Sequence, residues 1–146
     1  MFVLDIAMLT EKEIVNKLNE WLLINDYNII QLIYPGGQAT YSIKIEDQDK
    51  KYNIIYPDLI TIKDSKIIIG EVKPLFSIED YNKLLKLHKS SSSKITIINL
   101  IKRIINSEKT DFEIIFWLIH SSTLNRQYSK YPFNQLILEN GKFNIY

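Results

Sequence analysis

The sequence contains no cysteine, and only four glycines and four prolines occur among its 146 residues. The lack of cysteine excludes disulfide frameworks, thiolate zinc sites and iron–sulfur clusters, and it favours an intracellular setting. The scarcity of glycine and proline, together with 46% hydrophobic residues, argues against disorder. No apolar run approaches the roughly 20 residues that span a bilayer, and residues 1–9 lack the basic start of a signal peptide. We therefore expect a folded cytoplasmic protein with no membrane partner, in which carboxylates or histidine hold any metal.

The length suits a single compact domain covering residues 1–146. The net charge of +1 hides an uneven distribution, because residues 1–80 carry 8 Lys/Arg against 13 Asp/Glu and residues 81–109 carry 7 against 1. A basic segment of this kind is typical of a phosphate-binding surface, and equally of a solvated helix face. Charge alone leaves these two interpretations open.

The spacing of apolar residues predicts an α/β fold. Helical periodicity predicts helices over residues 11–24 and 78–89, with a short helix over 101–107. Strands are predicted over 28–34, 40–45, 51–62, 67–72, 94–100 and 112–119, and a C-terminal hairpin over 136–146 that turns at Asn140-Gly141. The first two strands suggest a hairpin-like excursion, and the polar stretch 63–66 predicts that its flanking strands are adjacent and antiparallel. We expect one central mixed β-sheet flanked by helices, in a pairing order that the pattern does not decide.

The stretch that carries chemistry is Tyr56-Pro57-Asp58, followed after twelve residues by Glu71-Val72-Lys73. If Asp58 and Glu71 lie on neighbouring antiparallel strands, both carboxylates can reach the same end of the sheet. Glu71 and Lys73 are two residues apart on one strand, so their side chains share a face. Two carboxylates suit a hard cation such as Mg²⁺ or Mn²⁺, which can activate water and neutralise charge on a phosphate. Lys73 could orient that water or offset developing negative charge.

These residues match the PD-(D/E)xK motif, and the chain resembles the restriction-endonuclease-like nucleases that carry it. The resemblance covers residues 56–74 directly and the order of elements over 10–120 more loosely. Tyr-Pro-Asp followed by Glu-Val-Lys-Pro looks like transposon-end-cleaving nucleases, while the first helix with Thr-Glu-Lys-Glu is similar to Holliday-junction resolvases, and both branches stay open. The resemblance implies a restriction-endonuclease-like core, Mg²⁺ or Mn²⁺ at Asp58 and Glu71, and hydrolysis of phosphodiester bonds in DNA. A surface hairpin with a Glu–Lys pair is the structural alternative, but a carboxylate inside the apolar run 67–72 would be costly without a cation.

Many members of this family add an acidic residue from the first helix. Helical phase at about 100° per residue places Glu11 within the apolar face and Glu13 and Glu20 on the solvent side. Glu13 has a structural role available in a capping box with Thr10 as N-cap. We therefore predict Glu11 as the additional metal or water contact, with Glu13 as its competitor.

The leading hypothesis is a metal-dependent DNA endonuclease that uses Asp58, Glu71, Lys73 and Glu11. A duplex-cutting enzyme of this size needs two active sites, so we expect a symmetric homodimer. The alternatives are a non-catalytic nucleic-acid-binding or assembly protein that keeps the fold, and an RNA nuclease. The predicted phosphate contacts are Lys83, Lys86, Lys89, Lys94, Lys102 and Arg103.

Overall fold

A computed structural model of the chain describes residues 9–46 and 49–146. Its helices are α1 (Glu11–Ile24), α2 (Ile78–Lys89) and α3 (Ser93–Ile105), with a 3₁₀ turn at Arg126–Tyr128. Its strands are β1 (Asn28–Leu32), β2 (Ile43–Glu46), β3 (Tyr52–Ile55), β4 (Leu59–Lys63), β5 (Lys66–Val72), β6 (Glu113–His120), β7 (Phe133–Glu139) and β8 (Lys142–Ile145).

Six strands form a mixed sheet in the order β1-β4-β5-β6-β7-β8. The β4–β5 pair is antiparallel, as the polar stretch at 63–66 predicts, and β5–β6 and β6–β7 are parallel. The C-terminal hairpin is confirmed between β7 and β8. Asn140 and Gly141 both have positive φ at its turn, a conformation that Asn-Gly supplies readily. The predicted class, a central mixed sheet flanked by helices, is confirmed.

Hydrophobic side chains cover both faces of the sheet. On one face, Ile14, Val15, Leu18 and Leu22 of α1 pack against apolar residues of β4, β5 and β6. On the other face, α2 and α3 pack over the sheet together with the buried side of β2 and β3. None of the described helices is long and apolar enough to cross a membrane.

Helices α1 and α2 match their predicted bounds because local signals define their ends. Thr10 caps α1, accepting a hydrogen bond from the Glu13 backbone N–H at 3.2 Å. Ser77 caps α2 in the same way, through the Asp80 N–H at 3.1 Å. Such caps satisfy backbone donors that have no partner within a helix.

The expected pairing of the first two strands is wrong. β1 pairs with β4, while β2 and β3 pair with each other as a separate two-stranded sheet. The predicted strand 51–62 is also divided, because Tyr56-Pro57-Asp58 separates β3 from β4. Proline has no N–H to give to a ladder and so favours a break at this point. The β2–β3 hairpin is therefore an insertion between two neighbouring strands of the main sheet.

The strand predicted over residues 94–100 is also wrong, since this segment belongs to α3. Its isoleucines and threonine favour a strand on propensity alone. Ile97, Ile98 and Ile101 nevertheless fall at helical spacing, and all three are buried against the core. Packing of this face outweighs the weak local preference.

Candidate functional site

The two predicted carboxylates face each other across β4 and β5. Asp58 lies immediately before β4 rather than within it, and Glu71 is the penultimate residue of β5. Because Leu59 pairs with Gly70, the next residues outward, Asp58 and Glu71, are neighbours. The Asp58 N–H donates to Glu71 Oε2 at 3.3 Å, and the Val72 N–H donates to Asp58 Oδ2 at 3.0 Å. A backbone N–H at the end of each strand therefore donates to the carboxylate at the end of the neighbouring strand.

Glu71 is more deeply buried than Asp58, with 3% of its surface exposed. Burial raises the pKa of Glu71 from 4.5 to about 9, and the hydrogen bond and negative charge of Asp58 add to this effect. Lys83 acts in the opposite direction on the same pKa. A carboxylate in such surroundings either holds a proton at neutral pH or needs a neighbouring cation.

Lys83 reaches this pair from α2. Its ammonium forms an ion pair with Glu71 Oε1 and donates to the Tyr56 carbonyl oxygen at 3.2 Å. Beyond that ion pair, no described residue hydrogen-bonds to Oε1. The sequence prediction for Lys83 was a phosphate contact on a helix surface, whereas the structure brings its side chain, 34% exposed, into the candidate site. Lys83 lies outside the motif and on a different element, α2, which is why the motif did not point to it.

Glu11, Asp80 and Lys73 surround the same end of the sheet. Burial raises the pKa of Glu11, the positive charge of Lys73 opposes this, and the charges of Asp58 and Asp80 add to it. Burial likewise raises the pKa of Asp80, which also senses Lys73, Asp58 and Lys83. Glu11, Asp58 and Lys73, which the sequence predicted as site residues, are therefore close enough for their charges to interact. Glu13 is exposed, and its backbone N–H donates to the Thr10 cap.

Asp80 is a site residue that the sequence reasoning missed. It stands in the first turn of α2, where an acid is ordinarily explained by the helix dipole. The available signal was its spacing from Lys83, because residues three apart on a helix share a face. The short connection from β5 to α2 brings that face to the carboxylate pair.

Gln31 supports the segment that precedes Asp58. Its buried side-chain nitrogen donates to the Pro57 carbonyl at 2.8 Å and to the Tyr41 carbonyl at 3.1 Å. Its oxygen accepts from the Thr40 and Tyr41 N–H groups at 3.0 and 2.7 Å. One amide therefore joins β1, the chain leading to β2 and the turn before Asp58. This buried glutamine therefore organises the backbone that leads to Asp58.

The remaining predicted phosphate contacts divide between surfaces. Lys86 and Lys89 of α2 line a cleft of about 870 Å³ between α2 and the β2–β3 hairpin, here named the α2 cleft, together with Asn53 and Asn82. Lys94 lines a separate cleft of about 260 Å³. Lys102 and Arg103 lie in the last turn of α3. Lys86 and Lys89 therefore line the same cleft, and their role in binding stays a prediction.

Asp58 and Glu71 are the two carboxylates that would bind a divalent cation. Within residues 9–46 and 49–146, no three or more histidine, aspartate or glutamate side chains form a ready-made metal cluster. Mg²⁺ typically uses one or two carboxylates and completes its shell with water and substrate phosphates. Asp58 and Glu71 fit that requirement as two carboxylate ligands, and a cation bound by them would compete with the Lys83 ammonium for the Glu71 carboxylate.

Comparison of the chain with protein-family models, with curated proteins and with solved structures finds no match in any of the three.

Proposed function

We propose that this protein is a cytoplasmic, metal-dependent endonuclease that hydrolyses phosphodiester bonds in DNA. The observation that carries the proposal is the buried Glu71 carboxylate facing Asp58, at the end of two central strands. An acid with a pKa raised to about 9 is unfavourable as a structural anion, which supports a functional reason for its position. The local match to the PD-(D/E)xK motif supports the same chemistry.

Asp58 and Glu71 would hold Mg²⁺ or Mn²⁺, with Glu11 as the additional acid. When bound, such an ion supplies charge neutralisation and an activated water. The backbone N–H groups of Asp58 and Val72 orient the two carboxylates before substrate arrives. Preorganisation of this kind lowers the cost of reaching the transition state.

Two lysines have different parts in this proposal. The exposed Lys73 is placed to offset negative charge that develops on the phosphate, since its own charge already acts on Glu11 and Asp80. Lys83 lies beside Glu71 Oε1 in the free protein and lowers the pKa of that carboxyl. With Glu71 serving as a metal ligand, the Lys83 ammonium would be released from this carboxylate and would be free to contact a substrate phosphate.

Substrate binding would use the lysines of the α2 cleft. Lys86 and Lys89 are exposed and line it together. Contacts between lysine and phosphate provide affinity without sequence preference. Cleavage of both strands of a duplex would further require a symmetric homodimer.

Hydrolysis of labelled duplex, branched and single-stranded DNA, with Mg²⁺ or Mn²⁺ and with EDTA, tests the proposal. We expect cleavage with metal, none with EDTA, and loss of cleavage in Asp58→Asn. Asp64→Asn is the matched control, because Asp64 is exposed at the opposite end of β4 and β5 and asparagine tolerates its positive φ. Failure to cleave any substrate with either metal would contradict the proposal.

A second function is favoured by the ion pair at Glu71. Because the Lys83 ammonium already stands beside Oε1, the chain could be a non-catalytic nucleic-acid-binding or assembly protein that keeps the nuclease fold. This alternative predicts nucleic-acid binding that is unaffected by EDTA and no turnover. An RNA nuclease is the third possibility, and RNA versions of the same substrates distinguish it.

A further inference from the structure

One face of the β2–β3 hairpin carries exposed aromatic and aliphatic side chains in a row. Tyr52, Ile54 and Tyr56, here named the β3 stripe, are 62%, 51% and 52% exposed. Asn53 is exposed as well, but from Ile54 onwards exposed and buried residues alternate, with Ile55 and Pro57 buried, so the alternation of an extended chain continues beyond the end of β3. Three large side chains thus line up on the outer face.

The outer face of the hairpin lies away from the core. Its other face, with Ile43, Ile45 and Ile55, is buried in the core against α3. On the outer face, Lys44 pairs with Ile54 in the register and places its ammonium 4.1 Å from the centre of the Tyr52 ring. The outer surface therefore combines an aromatic ring, an aliphatic side chain and a cation, and it also carries the exposed Glu46, which pairs with Tyr52 in the register.

The β3 stripe leads directly to the candidate site. Tyr56 is two residues before Asp58, and its carbonyl oxygen accepts a hydrogen bond from Lys83. Ile54 of the stripe lines a cleft of about 440 Å³ together with Lys83 and Lys86. A strand lying on the stripe would therefore have lysine ammonium groups beside it and the carboxylate pair at its end.

The spacing of the stripe favours unpaired bases over a duplex. Alternate residues on a strand are separated by about 7 Å. Stacked bases in a duplex are only about 3.4 Å apart along each strand, so the stripe would meet bases that have separated from one another. Aromatic side chains beside lysines are the usual means of binding such a strand without sequence preference.

We propose that the β3 stripe is a stacking platform for the unpaired bases of a nucleic-acid strand that enters the candidate site. This inference rests on the proposed function and adds to it that the substrate has a single-stranded part at the scissile end. Tyr52 and Tyr56 provide the rings, Ile54 provides apolar contact between them, and Lys86 and Lys89 bind phosphates along the border.

Fluorescence anisotropy of labelled oligothymidine DNA and oligouridine RNA tests the platform. EDTA is present throughout, so that binding is measured apart from hydrolysis. Tyr52→Leu and Tyr56→Leu remove a ring and keep apolar bulk, and each should weaken binding about tenfold for at least one of the oligonucleotides. Tyr52→Phe keeps the ring and should bind like the parent. Tyr131→Leu is the matched control and should leave binding unchanged, because Tyr131 is 75% exposed and lies just before β7, outside the stripe.

Unchanged affinity of both leucine variants, or equal losses in Tyr52→Phe and Tyr52→Leu, would overturn the platform. So would a parent protein that binds duplex but neither oligonucleotide. A change in sedimentation of the leucine variants would assign the stripe to contact with a second copy of the chain and would also overturn it. Because metal-dependent cleavage is measured separately, each of these results leaves the proposed hydrolysis standing or failing on its own assay.

Discussion

Replacing Glu71 by glutamine should make the metal-free protein more stable. Glutamine has the shape of protonated glutamate, and its oxygen can still accept from the Asp58 N–H as Oε2 does at 3.3 Å. Its NH₂ group can donate to the Asp58 carboxylate. The substitution therefore keeps this position neutral at every pH without creating a cavity.

The size of the effect follows from the raised pKa of Glu71, about 9 in the fold against 4.5 ordinarily. Between these values the folded protein keeps a proton that the unfolded chain releases, so this group lowers stability as pH rises from 4.5 towards 9. At pH 7 the difference amounts to about 3 kcal/mol in favour of Glu71→Gln. For a domain of this size, that corresponds to roughly 6–12 °C in melting temperature.

Urea denaturation in EDTA at several values between pH 5 and pH 8.5 measures this difference. The gap between Glu71→Gln and the parent should be small at pH 5 and should widen as pH rises. Glu20→Gln, which removes an exposed carboxylate from α1, is the control and should follow the parent at every pH. A Glu71→Gln protein less stable than the parent at neutral pH, or a gap that does not change with pH, would refute the reasoning.

Three further results are expected. Lys73→Ala should lower kcat far more than substrate affinity, because the charge of Lys73 matters most in the transition state. Single-turnover kinetics and binding measurements test this, and an equal loss of rate and affinity would contradict it. Lys86→Ala or Lys89→Ala should weaken duplex DNA binding and reduce the slope of log K against log salt by about one, whereas parent-like slopes in both would remove the α2 cleft as the binding surface. Gln31→Leu should cost at least about 2 kcal/mol in urea denaturation, because it leaves backbone groups at Pro57 and Tyr41 without partners, and a neutral effect would contradict its role.

Local signals made much of the fold predictable. α1 and α2 have caps and one apolar face each, so their bounds follow from short stretches of sequence. The facing of Asp58 and Glu71 followed from two strands joined by a short turn. In each case the decisive contacts lie within about 15 residues along the chain.

What the sequence could not reveal depends on how separate elements pack against one another. Lys83 joins the site only because α2 packs beside β5, and Gln31 does so through Pro57, 26 positions away. The residues of α3 favour a strand locally, and burial of Ile97 and Ile101 decides for a helix. Propensity and periodicity do not record such packing.

Binding of Mn²⁺ to the metal-free protein tests the central claim most directly, namely that Asp58 and Glu71 form a metal centre. Isothermal titration calorimetry of the parent, Asp58→Asn and Asp64→Asn, supported by melting curves, gives the affinity of each. The parent and Asp64→Asn should bind Mn²⁺ and gain stability, by about 2.7 kcal/mol at a hundredfold excess over Kd. Asp58→Asn should lose most of both effects. Equal Mn²⁺ binding by all three proteins, or none by the parent, would contradict the account.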